Sequence, residues 1–305
     1  MDTTLLKQLC SIHAPAGDEI NMTTFLLNYI KKEKKNWKHQ PKIYSGKGFQ
    51  DAIVLVFGKP KTAIFAHIDS IGFTVRYDKQ LVKIGGPRTE NGYELVGDDS
   101  KGKIDCKLKV AKNGALSYVY KRKIDTGTSL TFKPNFRDTK EYVQCCYMDN
   151  RLGVYNALKV AETLKDGIIC FTCWEEHGGG SAEVLGKFIY EKYKVDQAII
   201  SDITWVTEGV KHGKGVAISM RDSGLPRQSY VRRVIDIAKK HKIPFQLEVE
   251  GAGGSDGNSL QRSPYAFDWC FVGAPEDGVH TPNEKVHKKD IEAMIDLYKV
   301  LMKEL

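Results

Sequence analysis

Short apolar runs alternate with segments of helical period along most of the chain. Residues 3–12 and about 18–35 carry apolar positions spaced for amphipathic helices, split by the turn Ala14-Pro15-Ala16-Gly17. The runs 52–57 and 63–66 predict two strands. From Tyr142 onward the texture becomes regular. Apolar runs at 142–148, 168–174, 197–201, 215–220, 245–249 and 267–273 predict strands. Segments 151–164, 182–193, about 230–241 and onward from about 288 predict helices. In the first of these, Leu152, Tyr155, Leu158 and Leu164 share one face. Strands separated by helices of this length predict an α/β fold with a doubly wound sheet, mixed but mainly parallel.

The stretch from Gly72 to Tyr142 has a different texture. Alternating segments such as 103–110, 116–119 and 130–132 are punctuated by Gly, Asn and Asp, without helical period. This predicts a small β-rich, barrel-like domain at 72–142, inserted into a discontinuous catalytic domain formed by 1–71 and 143–305.

Composition narrows the functional classes. With 41% hydrophobic and 28% charged residues among 305, the chain has the balance of a folded domain rather than a disordered one. No apolar run approaches the ~20 residues that span a bilayer, so no membrane partner is expected. The start carries Asp2 and lacks the apolar core of a secretory signal. Seven scattered cysteines suit a reducing, cytoplasmic setting. Cys170 and Cys173 form C-x-x-C, but inside an apolar run read as a strand, whereas redox pairs usually open a helix.

The formal charge of +8 could suggest nucleic acid. Its distribution argues against that partner. Residues 1–66 and 67–148 are each net +5, while 149–305 are net −2. The run 31–35 mixes signs and lacks interleaved aromatics, as a solvated helix face does.

The chemistry gathers where strands end. His67 follows the run 63–66, Asp149 follows 142–148, and Glu175 and Glu176 follow 168–174. Asp202 follows 197–201, and His280 lies in the loop after 267–273. In an open α/β sheet the carboxyl ends of the strands face one crevice. Each residue alone is weak evidence: an Asp after a strand is often a turn former or helix cap. Jointly, two His and several carboxylates without thiolate suit two divalent cations, Zn first, with Co or Mn as alternatives.

Several motifs resemble those of the M42 family of dinuclear metallo-aminopeptidases, glutamyl aminopeptidase or TET-like, over essentially the whole chain. They are Ala66-His67-Ile68-Asp69-Ser70, Met148-Asp149-Asn150-Arg151, Trp174-Glu175-Glu176-His177-Gly178, Gly213-Lys214-Gly215, Gly253-Gly254-Ser255-Asp256 and His280-Thr281-Pro282-Asn283-Glu284. The interval of 82 residues from His67 to Asp149 holds an insert where M42 proteins carry theirs. Ser70 and His177 depart from the family pattern, which has an acid and an apolar residue there. Gly178-Gly179-Gly180 replaces a bulkier sequence.

The resemblance implies a zinc-peptidase core, related to phosphorylase/hydrolase-like folds, and hydrolysis of N-terminal residues from peptides. It implies metal ligands His67, Asp149, Glu176, Asp202 and His280, with Asp149 bridging. Glu176 and His280 would complete one site, and His67 and Asp202 the other. It makes Glu175 the general base and has Asp69 hydrogen-bond the outer nitrogen of His67. It also implies a cis Asp149–Asn150 peptide and a dimer-based homo-oligomer, a dodecamer in family members, with the insert at the dimer contact. Two alternatives keep the same residues: a deacylase acting on small amides, and a peptide-binding homologue without turnover. Glycoside hydrolysis is disfavoured, because adjacent Glu175 and Glu176 cannot flank a glycosidic bond at ~5–9.5 Å.

Overall fold

The longest apolar runs of the sequence become the central strands of a large sheet. The computed structural model describes all 305 residues. Helices α1 (Thr4–Cys10) and α2 (Ile20–Glu33) precede strands β1 (Lys42–Gly46), β2 (Gln50–Phe57) and β3 (Ala63–His67). Six short strands follow: β4 (Gly72–Val75), β5 (Leu81–Ile84), β6 (Glu94–Asp99), β7 (Gly102–Val110), β8 (Leu116–Val119) and β9 (Ser129–Phe132). The chain returns through β10 (Arg137–Asp138) and β11 (Tyr142–Cys145) to α3 (Met148–Ala161), β12 (Gly167–Thr172), α4 (Ser181–Tyr193) and β13 (Gln197–Trp205). The last third contains β14 (Val216–Arg221), α5 (Gln228–Lys240), β15 (Phe245–Val249), α6 (Asp256–Arg262), β16 (Asp268–Asp277), β17 (Glu284–His287) and α7 (Lys288–Glu304).

The large sheet runs β1-β2-β12-β3-β13-β16-β17-β11-β10, with β14 and β15 branching from β16. Its centre is parallel: β12 with β3, β3 with β13, and β13 with β16. Both margins are antiparallel. The fold class is therefore α/β with a mixed, mainly parallel sheet. Strands β3 and β12 are buried at every position, because helices cover the sheet on both faces. Helices α3 and α7 pack on each other and on the central strands, while α4 and α6 form a second packed pair. Each fully buried Leu, Ile or Phe of this core contributes about 1.5–3 kcal/mol.

The six short strands build a second sheet, β5-β4-β9-β6-β7-β8, antiparallel throughout and barrel-like. Strand β7 alternates buried Ile104, Cys106 and Leu108 with exposed Lys103, Asp105, Lys107 and Lys109, the period of a half-covered sheet. Phe132 ties the second sheet to the turn before α3: it stacks on Tyr147 at 6.4 Å, whose hydroxyl donates to the Phe132 carbonyl at 3.0 Å. No helix is long and apolar enough to cross a membrane.

Several boundaries differ from the sequence reading. The strand expected to reach Met148 stops at Cys145, because Tyr147 turns into the left-handed region at φ 68°. Within the range of α3, Asp149 and Asn150 have non-helical backbone (ψ 103° and 41°), so the regular turns of the helix run from Arg151, as expected. Strand β16 continues through Pro275 and Glu276 to Asp277, held by pairing with β13 on one edge and β17 on the other.

Candidate metal centre and active site

Five backbone segments deliver the polar cluster to one end of the large sheet. His67 closes β3 and is 1% exposed. Trp174 adopts φ 61° just beyond β12, which breaks the extended path and turns the next two residues inward. Asp202 lies within β13, not after it, because the strand runs on to Trp205. His280, at φ 64°, occupies the turn between β16 and β17. Asp149 sits at the entrance of α3, and its peptide with Asn150 is cis.

The two oxygens of Asp149 face different histidines. Oδ1 is 3.1 Å from His67 Nε2, and Oδ2 is 3.4 Å from His280 Nε2. Asp202 Oδ2 lies 3.6 Å from His67 Nε2, and Glu176 Oε2 lies 3.2 Å from His280 Nε2. Two trios result, His67–Asp149–Asp202 and Asp149–Glu176–His280, each with its donor atoms within 4.8 Å of one another. Glu175 Oε2 is 3.8 Å from His67 Nε2 and also faces the cavity.

The donor set fits two divalent cations. It is imidazole and carboxylate without thiolate, and one carboxylate is shared between the trios. An orphaned buried atom agrees: Glu176 Oε1 has no hydrogen-bond partner. Crowded acid charge points the same way. Burial, with Asp202 and Glu176 adding repulsion, pushes Glu175 well above the usual carboxylate range. Burial and the Asp149 charge likewise raise Asp202. Burial would raise Asp149 too, but its hydrogen bonds to His280 and His67 overcome it and hold this carboxyl low.

The scaffold beneath the cluster is specific. Asn150 Nδ2 donates to the Ser201 carbonyl at 2.8 Å, while its Oδ1 accepts from Gly153 N–H at 2.8 Å. Ser201 Oγ donates to the Gly153 carbonyl at 2.9 Å, so the Asp149 turn is locked to the strand that carries Asp202. Arg151 is fully buried; its Nη1 donates to the carbonyls of Ile68 and Asp69, the latter at 3.2 Å. Asp69 in turn accepts from Glu175 N–H at 3.2 Å and Glu176 N–H at 3.0 Å. Its expected hydrogen bond to His67 Nδ1 is a 3.4 Å contact instead, because both Asp69 oxygens are aimed at the backbone after β12.

Other participants lie outside the expected ligand and base set. The Gly86 carbonyl accepts from His280 Nδ1 at 3.0 Å, which leaves Nε2 free to face Asp149 and Glu176. No side chain marks that role, so the sequence held no signal for it. Glu284 accepts the backbone N–H of His280 at 2.9 Å and that of Asp149 at 3.4 Å. Its place in His280-Thr281-Pro282-Asn283-Glu284 was visible, but its contacts were not. His177 Nδ1 accepts from Gly85 N–H at 3.0 Å and ties the second sheet to the Glu175–Glu176 turn. Asp256, at the start of α6, accepts from the Thr172 hydroxyl behind the cluster, and burial pushes its pKa up to about 6. A cavity of about 320 Å³ opens from Asp149, Glu175, Glu176, Asp202 and His280 towards the ends of β13, β14 and β15.

Comparisons with known proteins agree with this arrangement. The family model for the M42 glutamyl aminopeptidase matches residues 105–297. The chain is 28% identical to a lysyl aminopeptidase of Pyrococcus furiosus, over 81% of this chain and 82% of that protein. In structure it is similar to an aminopeptidase of the archaeon Desulfurococcus kamchatkensis, with TM-score 0.86 and 21% identity, covering 99% and 94% of the two chains. It is also similar to the TET1 peptidase of Pyrococcus horikoshii, with TM-score 0.81 and 22% identity over 98% of each chain.

Proposed function

The chain belongs to the M42 glutamyl aminopeptidase family and is a metal-dependent aminopeptidase; we propose that it removes N-terminal residues from peptides at the strand-end cluster, using two divalent cations. His67, Asp149 and Asp202 would hold one, and Asp149, Glu176 and His280 the other. Zn is the first candidate, and Co or Mn suit the same donors. When bound, such ions supply Lewis acidity to the scissile carbonyl and acidify the attacking water.

The chain's own residues do the rest. Glu175 takes the proton from the attacking water and delivers it to the leaving amine nitrogen. Burial and neighbouring acid charge raise its proton affinity, which suits a group that must hold a proton between the two steps. Asp69 and the buried Arg151 fix the backbone on either side of that step. Glu284 and Asn150 hold the Asp149 turn, and Gly86 sets the tautomer of His280.

The observation that carries the proposal is the shared Asp149, with one oxygen towards each histidine. The test is hydrolysis of aminoacyl anilides with added Zn, Co or Mn by the wild type and by Glu175→Gln. The variant should keep its metal and lose about 10²–10⁴ in kcat. Equal turnover by the two proteins would defeat the assignment.

Assembly belongs to the same proposal. The Pyrococcus horikoshii TET1 peptidase assembles into a tetrahedron or a large octahedral shell. We place this chain in a dimer-based homo-oligomer, up to a dodecamer, with the β-rich insert between subunits. The cytoplasmic setting expected from the sequence is also part of the proposal.

A further inference from the structure

The cavity that starts at the ligand cluster carries three more carboxylates on its far wall, from Asp222, Glu248 and Glu250. Asp222 follows β14, Glu248 lies within β15 and Glu250 follows it, outside the set that faces the histidines. Glu248 is 3% exposed and Asp222 is 8% exposed. Glu248 accepts from the Thr204 hydroxyl, and Asp222 Oδ1 accepts from Gly224 N–H at 2.6 Å. Burial pushes the Glu248 carboxyl up, and Asp222 and Glu250 add like charge beside it. Arg221 is the cation near Asp222, and its Nε is bonded to the Asp222 backbone carbonyl at 3.2 Å. Buried carboxylates without a cationic partner are costly, and a ligand that brings the cation offsets that cost.

The position of these acids sets the length of the ligand. Thr204, the partner of Glu248, lies two residues beyond Asp202 on β13. Two residues along a strand advance about 7 Å, comparable with the reach of a four-carbon stem. Ile203 and Phe271 line the same cavity and supply apolar surface for such a stem. A long side chain with an apolar body and a cationic tip matches both features.

We propose that this pocket selects peptides whose N-terminal residue is Lys or Arg, with Asp222, Glu248 and Glu250 receiving the side-chain cation. The inference rests on the aminopeptidase reading of the same site. A glutamyl side chain would meet three like charges there. A leucyl side chain would displace water and leave the carboxylates unpaired.

The test compares kcat/KM for Lys, Arg, Leu and Glu anilides in the wild type, Glu248→Gln and Asp222→Asn. Calorimetry of the metal-free protein with free L-lysine, L-leucine and L-glutamate accompanies it. Lys and Arg substrates should exceed Leu by at least about tenfold, with Glu slowest, because a hydrogen bond to a charged group is worth that much. Each variant should lower the Lys-to-Leu ratio by about tenfold or more, a ratio that general misfolding does not move. Leu or Glu turned over faster than Lys, or a ratio unmoved in both variants, would overturn the proposal. If no anilide is hydrolysed but lysine binds ahead of leucine, the pocket assignment stands and the aminopeptidase reading falls. Lysine bound no more tightly than leucine would overturn the pocket assignment.

Discussion

Glu19 gives a sharp test of how burial and charge are balanced beside the active site. It is 1% exposed at the start of α2. Its Oε1 accepts from Gly17 N–H at 2.9 Å and from Trp174 N–H at 3.1 Å, tying the Ala14–Gly17 turn to the residue before Glu175. Burial pushes its carboxyl up from 4.5 to about 7, and the nearby Asp69 charge adds to the rise. A raised carboxyl holds a proton in the folded chain that the unfolded chain has already released. Stability therefore falls as pH rises from about 4.5 to about 7 and is flat above that window. The loss attributable to this group is about 3 kcal/mol. Glu19→Gln keeps the Oε1 acceptor for both N–H groups and removes the ionisation. In urea unfolding of chelator-treated protein, the variant should match the wild type near pH 4 and be about 3 kcal/mol more stable at pH 8. A stability difference constant from pH 4 to pH 8, or a variant weaker at pH 8, would refute this account of the carboxyl.

Two further substitutions probe the scaffold. Asp69→Asn loses one of the acceptors that hold Glu175 and Glu176 and weakens the contact to His67 Nδ1. Metal affinity should fall about 10–100-fold with circular dichroism unchanged, and competitive chelator titration giving wild-type affinity would remove Asp69 from this role. Gly153→Ala would place its Cβ 2.0 Å from the Ser201 carbonyl oxygen and 2.1 Å from Asn150 Oδ1. Denaturant unfolding should show a loss of about 3 kcal/mol or more, and a near-neutral result would mean that the Asn150–Ser201 lock can open freely.

The amino-acid sequence by itself determined the α/β class and the order of strands and helices, and it marked His67, Asp149, Glu175, Glu176, Asp202 and His280 as candidates near strand ends, although Asp202 lies inside β13. These were legible because β3, β12 and β13 are long apolar runs, and an ionisable residue at the end of such a run stands out. Pairing across the chain decided what the runs could not. Strand β16 extends to Asp277 only because β13 and β17 supply partners on its two edges. The brief β10 exists only beside β11. The Gly86 carbonyl meets His280 across 194 residues of sequence, and a backbone oxygen has no residue type to reveal it. No sequence motif marks Asp222 or Glu248, and only the placement of β14 and β15 brings them into the cavity. Asp149 was legible as a candidate ligand, but only the turn into α3 aims one oxygen at each histidine. Sequence patterns report local period and burial, whereas the direction of a carboxylate oxygen depends on contacts between distant segments that no local pattern records.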